Sequence, residues 1–505
     1  MAKASVVPDE IKQLVPMKCC RVRNDNGKYR VYKYEAVKLP SGKWGASPGI
    51  LIGKITLEQG FIPNKRYLKE FASKEQPDLA AIDAITDVAY GQYDLLLSIS
   101  DDVLKRLEKY FPAERAAQIY SYALILCANG FLYLDQIDEI YQVSFLSLLF
   151  NEYSFKMGYS ALSALLHDLG MKGNPVKCFE QSLIDDSSKE IAIDGHVIRS
   201  CSNLNDLAEP GYKMNLLKAP QENLLIAYDI RNNMPVMYRT FRGSTVDKVS
   251  IIEFIESRNF IDTKFVVDRG FYSEKTLKLM SKNGNCYIIP IPSNNANFKR
   301  IKETLDYTSG EFVYKSSDKD SSRIIYYEEQ IDKKRRIIVY KDIDENNSKR
   351  KSYKMMMDEG EKGYTQKGYD EFCEWWGVYF LETTTDETAS EVYSDYKDRW
   401  SIETYNNYIK NDAKFNNLKI QDYYVEHGFD FIMLLTGIIH SRLNDLVKKI
   451  GKSSISTRDI LIKASHMRMV NMDGTWKLHN TRTRDLELLA QTGFKPRVSF
   501  SVATV

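Results

Sequence analysis

The stretch EIAIDGHVI, residues 190–198, is an apolar run that stops on an aspartate, and its reading decides the fold. The polar linker IDDSSK (184–189) precedes it. Downstream come LLIAYDI (224–230), a turn at RNNMP, VMYRTF (236–241), a helix near 247–258, the strand FVVD (265–268), a helix from Ser273 to Ser281 and the strand CYIIPI (286–291). Three consecutive strands followed by alternating helix and strand is the order of an RNase H-like α/β core. In this reading Asp194 and Asp268 fall at the ends of strands, and the core's first part spans 184–292.

Working outward, residues 293–376 interrupt the pattern with short β-rich runs, RIIYYEEQI and RRIIVYKDI, and read as an inserted β-strand domain. The core resumes over 377–450 with the strand GVYFLETT, a helix from about Asp386 to Lys410 with Thr385 as its N-cap, and a strongly apolar helix at about 429–449. Upstream, residues 1–76 read as a basic, β-rich arm, with turn chemistry at NDNGK, PSGK and SPG. Residues 77–183 are helical in pattern, with Gly130 and Gly170 as C-terminal stops, and form a helical module ahead of the core. Residues 451–505 form a C-terminal region that the sequence leaves without a role.

Composition sets the bounds. A chain of 505 residues exceeds the size at which one core stops growing, so several modules are expected. Hydrophobic residues at 43% and charged residues at 27% describe an ordinary globular protein. The most apolar stretch, FIMLLTGII at 431–439, is too short to span a bilayer, so a cytoplasmic protein is expected. Seven cysteines include the adjacent Cys19-Cys20 but no CxxC spacing, which argues against zinc sites and a disulfide framework. Net charge is only +2, yet nine basic residues between Lys18 and Lys54 face two acidic ones, a stretch suited to lie against phosphate.

The segment YKDRWSIETYNNYIK (396–410) bears the third carboxylate. At about 100° per residue, Arg399, Glu403 and Lys410 lie about 60°, 20° and 40° from Tyr396, all to one side, while Ile402, Tyr405 and Ile409 fall roughly opposite as a core stripe. On an arbitrary helix such charges are most often a solvated, salt-bridged face, and a lone strand-end Asp is usually a turn or cap residue. Two strand-end aspartates followed by a helical glutamate are a less expected combination. Three carboxylates converging from two strands and a helix repel one another unless divalent cations fill the gap, which suits Mg²⁺ or Mn²⁺. Two such ions roughly 3.5–4 Å apart activate the attacking oxygen and stabilise the leaving oxygen of a phosphodiester.

In these motifs the chain resembles the DDE transposases of bacterial insertion sequences, in the insertion-sequence-four superfamily. The Tyr-x2-Arg-x3-Glu-x6-Lys hallmark is matched by Tyr396, Arg399, Glu403 and Lys410, the Asp-x-Gly-Phe signature by DRGF at 268–271, and the Asp-Gly signature by Asp194-Gly195. GKITLEQGFIPNKR (53–66) is similar to the passage from β arm to linker in members with longer N-terminal regions. The resemblance implies nicking at transposon terminal inverted repeats, followed by attack of the 3'-hydroxyl on target DNA. It implies that Asp194, Asp268 and Glu403 hold two metal ions, that Tyr396, Arg399 and Lys410 contact phosphates, that residues 77–183 are a helical DNA-binding region, and that a homodimer forms on double-stranded DNA. Rival readings are an RNase H-like nuclease without strand transfer and a domesticated, non-catalytic DNA-binding derivative.

Superfamily members can stack a flipped base on a tryptophan of the insertion, which makes Trp375 and Trp376 candidates beside the plainer reading of a buried core pair. Lys333, Lys334, Arg335 and Arg336 sit in a hairpin-like region, either as a solvated turn or as a phosphate contact. His196, His427 and His440 lack metal spacing and read as structural.

Overall fold

Alternating exposed and inward residues build the first of two units, residues 1–85. The computed structural model describes residues 7–501 apart from 17, 26, 39–42, 58–59, 71–86, 201–204, 212–219, 317–319, 416–419 and 452–453. Strands Cys20–Asp25, Lys28–Lys33, Ile50–Thr56 and Gly60–Pro63 form an antiparallel sheet in that order. Val22, Val31, Ile52 and Ile55 meet Ile11 and Tyr67 in a small core of their own. Gly27, at φ 84°, occupies the left-handed conformation needed between strands joined by a two-residue turn.

The second unit, residues 86–505, is organised on one long sheet. Its strands are β1 (Glu190–Arg199), β2 (Pro220–Asp229), β3 (Met234–Arg242), β4 (Lys264–Val267), β5 (Cys286–Pro290), β6 (Gly310–Lys315), β7 (Ser321–Gln330), β8 (Arg336–Asp342) and β9 (Val378–Thr383). Their hydrogen-bonded order is β3-β2-β1-β4-β5-β9-β8-β7-β6, and the short strand Glu209–Pro210 pairs with β2. β4 runs parallel to both β1 and β5, and the other neighbours are antiparallel. Ile191, Ala192 and Ile193 of β1 and Phe265, Val266 and Val267 of β4 are fully buried, as central strands covered on both faces require.

The β insertion takes a different form from the one expected. β9 pairs with β5 on one side and with β8 on the other, Thr383 lying opposite both Ile288 and Arg336, so β6, β7 and β8 extend the core sheet instead of forming a second one. Ile338 opposite Leu381 and Val339 opposite Phe380 make that junction apolar. Helices Ala296–Thr304, Ile343–Asp358 and Gln366–Phe372 complete the stretch.

Helix Tyr423–Lys449 crosses helix Tyr159–Lys172 so closely that a Cβ on Gly170 would lie 1.9 Å from the Tyr424 carbonyl oxygen, and one on Gly428 1.9 Å from that of Leu166. Gly170 is therefore a contact residue inside its helix, and Gly173, at φ 20°, takes the stop expected of it. Gly130 does end helix Ala113–Asn129. Asp430 ties the long helix to β3, accepting from the Thr240 amide (2.9 Å) and hydroxyl (2.6 Å). The C-terminal region folds back: strands Arg468–Met472, Thr475–His479 and Ser499–Phe500 form a small sheet with Asp87–Ala89, the strand that precedes the helical region. Among the described residues no single helix is long and apolar enough to cross a membrane.

Candidate active site

Register brings the two aspartates together. β1 and β4 pair in parallel up to Ile193 opposite Val267, so Asp194 and Asp268 are the next position on each strand. Adjacent strands lie roughly 4.8 Å apart, which puts the two carboxylates side by side. Only Asp268 ends its strand, where it caps the 3₁₀ turn Arg269–Phe271. Asp194 is interior: β1 runs on to Arg199 because its partner β2 continues the antiparallel ladder.

The third carboxylate comes from helix Ala389–Asp398, continued through Arg399 into helix Trp400–Asn407. Its N-cap is Thr388, three residues later than expected, whose hydroxyl and backbone N–H exchange bonds with Glu391 in a capping box. Thr385 is instead buried against Thr383. Ile402, Tyr405 and Ile409 are buried as the periodicity requires. On the other face Arg399 donates from Nη2 to Glu403 Oε1 at 2.8 Å, and its guanidinium lies 5.6 Å from the centre of the Tyr396 ring. Lys410 lies on a π-helical turn, Tyr408–Asp412, so the α-helical phase that set it beside Glu403 does not carry through to it.

The electrostatics show that these groups share one surface. Burial pushes the Asp194 carboxyl above its ordinary value; Arg399 and the Gly195 N–H pull it down, and Asp268 and Glu403 push it further up. Burial also raises the Tyr396 phenol, against the pull of Arg399. Arg399 loses solvation on burial, yet Tyr396, Asp268, Asp194 and Glu403 together hold its proton more firmly than usual. One guanidinium thus senses all three carboxylates. Sequence reasoning missed Asn406, which donates from Nδ2 to Asp194 Oδ2 at 2.8 Å while its buried Oδ1 makes no hydrogen bond. Its place three residues after Glu403, one helical turn on, was the available signal.

Among the described residues no three His, Cys, Asp or Glu side chains close into a metal cage. The donor chemistry nevertheless fits a hard divalent cation: the three carboxylates offer only oxygen, and burial together with the charges of Asp268 and Glu403 opposes ionisation of Asp194.

Beside Asp268 and Tyr396 opens a cavity of about 470 Å³, walled by Phe298, Phe372, Trp375 and Tyr379. Lys302 sets its ammonium 4.4 Å from the centre of the Trp375 ring. The two candidate tryptophans part here: Trp376 packs on Tyr353 and Tyr369, with ring centres 5.2 and 5.7 Å away. The basic cluster divides as well. Arg335 donates to buried Glu382 at 2.8 Å, and Arg336 to Glu328 at 2.6 Å and to the Glu387 carbonyl, so both guanidiniums are engaged within the protein. Lys333 and Lys334 are exposed at the hairpin tip.

Residues 186–437 match the family described as transposase DDE domain. The chain carries a DDE transposase domain. That domain contains Asp194, Asp268 and Glu403, together with Arg399 and Asn406. No curated protein matches the chain. Among solved structures, the piggyBac transposase synaptic complex with hairpin DNA, determined by cryo-EM, is similar at 12% identity and a TM-score of 0.36, covering 75% of this chain and 80% of that one.

Proposed function

We propose that this transposase acts by metal-dependent phosphoryl transfer on DNA, with Asp194, Asp268 and Glu403 as ligands to two Mg²⁺ or Mn²⁺ ions. The observation that carries the reading is the register of β1 and β4, which sets Asp194 beside Asp268 while Arg399 links both to Glu403. The ions, when bound, supply activation of the attacking oxygen and stabilisation of the leaving one. The chain's own side chains do the positioning: Asn406 orients Asp194, Arg399 holds Glu403, and Tyr396 and Lys410 meet phosphates of the transposon end. Trp375, beside Asp268, is the better placed tryptophan for stacking an unpaired base. The strand order β3-β2-β1-β4-β5 supports an RNase H-like core, and the Tyr-Arg-Glu-Lys signature supports the insertion-sequence-four branch.

In this reading the enzyme is bacterial and cytoplasmic, binds the terminal inverted repeats with its helical region, and cuts and joins both ends as a homodimer. The test is cleavage of a labelled transposon end, and joining of a pre-cut 3'-hydroxyl end into plasmid DNA, in Mg²⁺ or Mn²⁺. Asp268→Ala and Glu403→Gln abolish both reactions. Unchanged metal-dependent cleavage in either variant overturns the assignment, and cleavage without joining makes the protein a nuclease.

A further inference from the structure

The exposed face of the N-terminal sheet carries a charge pattern that its folding does not require. Arg23 on the first strand lies directly opposite Arg30 on the second, and Arg30 lies opposite Lys54 on strand Ile50–Thr56. All three are exposed. Like charges directly across a ladder destabilise it, by a few tenths to about 1 kcal/mol per pair. The period of two places Arg21 and Lys28 on the same face, with Asp25 as the carboxylate among them, 3.4 Å from Arg30. Five cations thus share a surface with one acid.

Aromatic rings support these cations from within the face. The Arg23 guanidinium lies 4.9 Å from the centre of the Tyr32 ring and donates to the Tyr34 hydroxyl at 2.8 Å, and Arg21 lies 5.5 Å from the Tyr34 ring. Such contacts keep guanidiniums ordered and leave their remaining donors outward. The apolar side chains of the unit face the other way, onto Ile11 and Tyr67.

We propose that this face is a docking surface for the phosphate backbone of double-stranded DNA, bound without reading sequence. The inference rests on the reading of the chain as a DNA transposase and assigns a further contact surface, carried by the N-terminal unit. Shape favours backbone over bases. Four strands at roughly 4.8 Å spacing, with their side chains, are wider than the roughly 12 Å major groove, so the sheet lies across phosphates instead of entering the groove. The Arg23-Arg30-Lys54 row spans about 10 Å, enough to meet successive phosphates.

The experiment compares the full chain with the triple variant Arg23→Ser, Arg30→Ser, Lys54→Ser, using a 30-base-pair duplex of random sequence titrated from low to high salt. Each lost phosphate contact reduces the salt slope by about 0.9, so three contacts reduce it by about 2.7 and weaken binding at 0.1 M salt by up to about 500-fold. A charge-matched control, Lys12→Ser, Lys105→Ser, Lys172→Ser, removes three lysines that each pair with a carboxylate, and keeps the wild-type slope. The thermal midpoint of the arm variant stays level or rises, because a repulsive row is gone.

A wild-type salt slope in the arm variant overturns the inference, as does an equal loss in the control. So does tighter binding of the wild-type chain to single-stranded RNA or to phosphatidylserine vesicles. The catalytic reading fails separately: Asp268→Ala keeps the salt slope while losing cleavage, and a wild-type chain that binds duplex through the arm but cuts no DNA with either metal sinks the catalytic reading alone.

Discussion

Glu222 is a fully buried carboxyl on β2, facing Glu426 and Asp430 of the long helix Tyr423–Lys449, both also buried. Burial first, and then the Asp430 charge, push Glu222 from 4.5 up to about 7. Glu426 is raised as well, by burial and by its two acidic neighbours, and the pair shares its protons. A carboxyl whose folded value is raised contributes fully to stability below its unfolded value, and that contribution is lost as pH climbs through the folded value. For Glu222 the window is therefore pH 4.5 to about 7. At about 1.36 kcal/mol per tenfold change in proton activity, the loss across that window is on the order of 3 kcal/mol. Glu222→Gln keeps the shape and removes the titration. It is expected to match the wild type at pH 4.5 and to exceed it by up to about 3 kcal/mol at pH 8, a gain of several degrees in midpoint. Calorimetric melts of both proteins at pH 4.5, 6, 7 and 8 measure this. A midpoint difference that is the same at pH 4.5 and pH 8 refutes the argument, because a packing change alone carries no pH dependence.

Three further outcomes follow from the geometry. Asn406→Ala frees Asp194 Oδ2 from its 2.8 Å partner and is expected to lower single-turnover DNA cleavage about 10- to 100-fold, as loss of an orienting neighbour does, with DNA affinity unchanged. Trp375→Ala removes a stacking surface valued at about 1–3 kcal/mol and weakens capture of an unpaired 2-aminopurine at the transposon end, read by fluorescence, whereas Trp376→Ala, which unpacks Tyr353 and Tyr369, lowers the thermal midpoint and leaves that signal intact. Gly170→Ala drives a Cβ to 1.9 Å from the Tyr424 carbonyl and is expected to cost about 1–3 kcal/mol or more in chemical denaturation, although alanine is the better helix former on propensity alone.

Much of the core was legible because its strands announced themselves through apolar runs, and Glu403 was found through helical spacing. The strands around Asp194 and Asp268 and the buried stripe Ile402-Tyr405-Ile409 needed only local periodicity. What escaped is non-local. That β9 stitches the insertion into the core sheet depends on pairing across gaps of dozens of residues, which no window along the chain contains. Gly170 looked like a helix stop because a glycine in a close helix crossing and a glycine at a C-cap are the same letter. Thr385 and Thr388 compete for one cap, and Glu391, three residues after Thr388, is the partner that decides it. The π turn at Tyr408–Asp412 left no mark in composition, yet it alters the phase of the residue on which the last part of the motif depends.

Arg399 gives the site its charge logic. Three carboxylates so placed carry three negative charges when ionised, and Arg399, in reach of all of them, offsets one. The remainder suits a divalent cation. The same guanidinium is hydrogen-bonded to Glu403 and stacked near Tyr396, so its position is set by the helix and not by the strands. The strands fix two carboxylates by register, and the helix fixes the third together with its counter-charge. A shift of that helix by one residue would move Glu403 and Arg399 as a unit and leave Asp194 and Asp268 facing each other without compensation. This coupling gives a physical reason for a motif in which arginine and glutamate stand four residues apart on one helix, a spacing that keeps cation and carboxylate in hydrogen-bond contact.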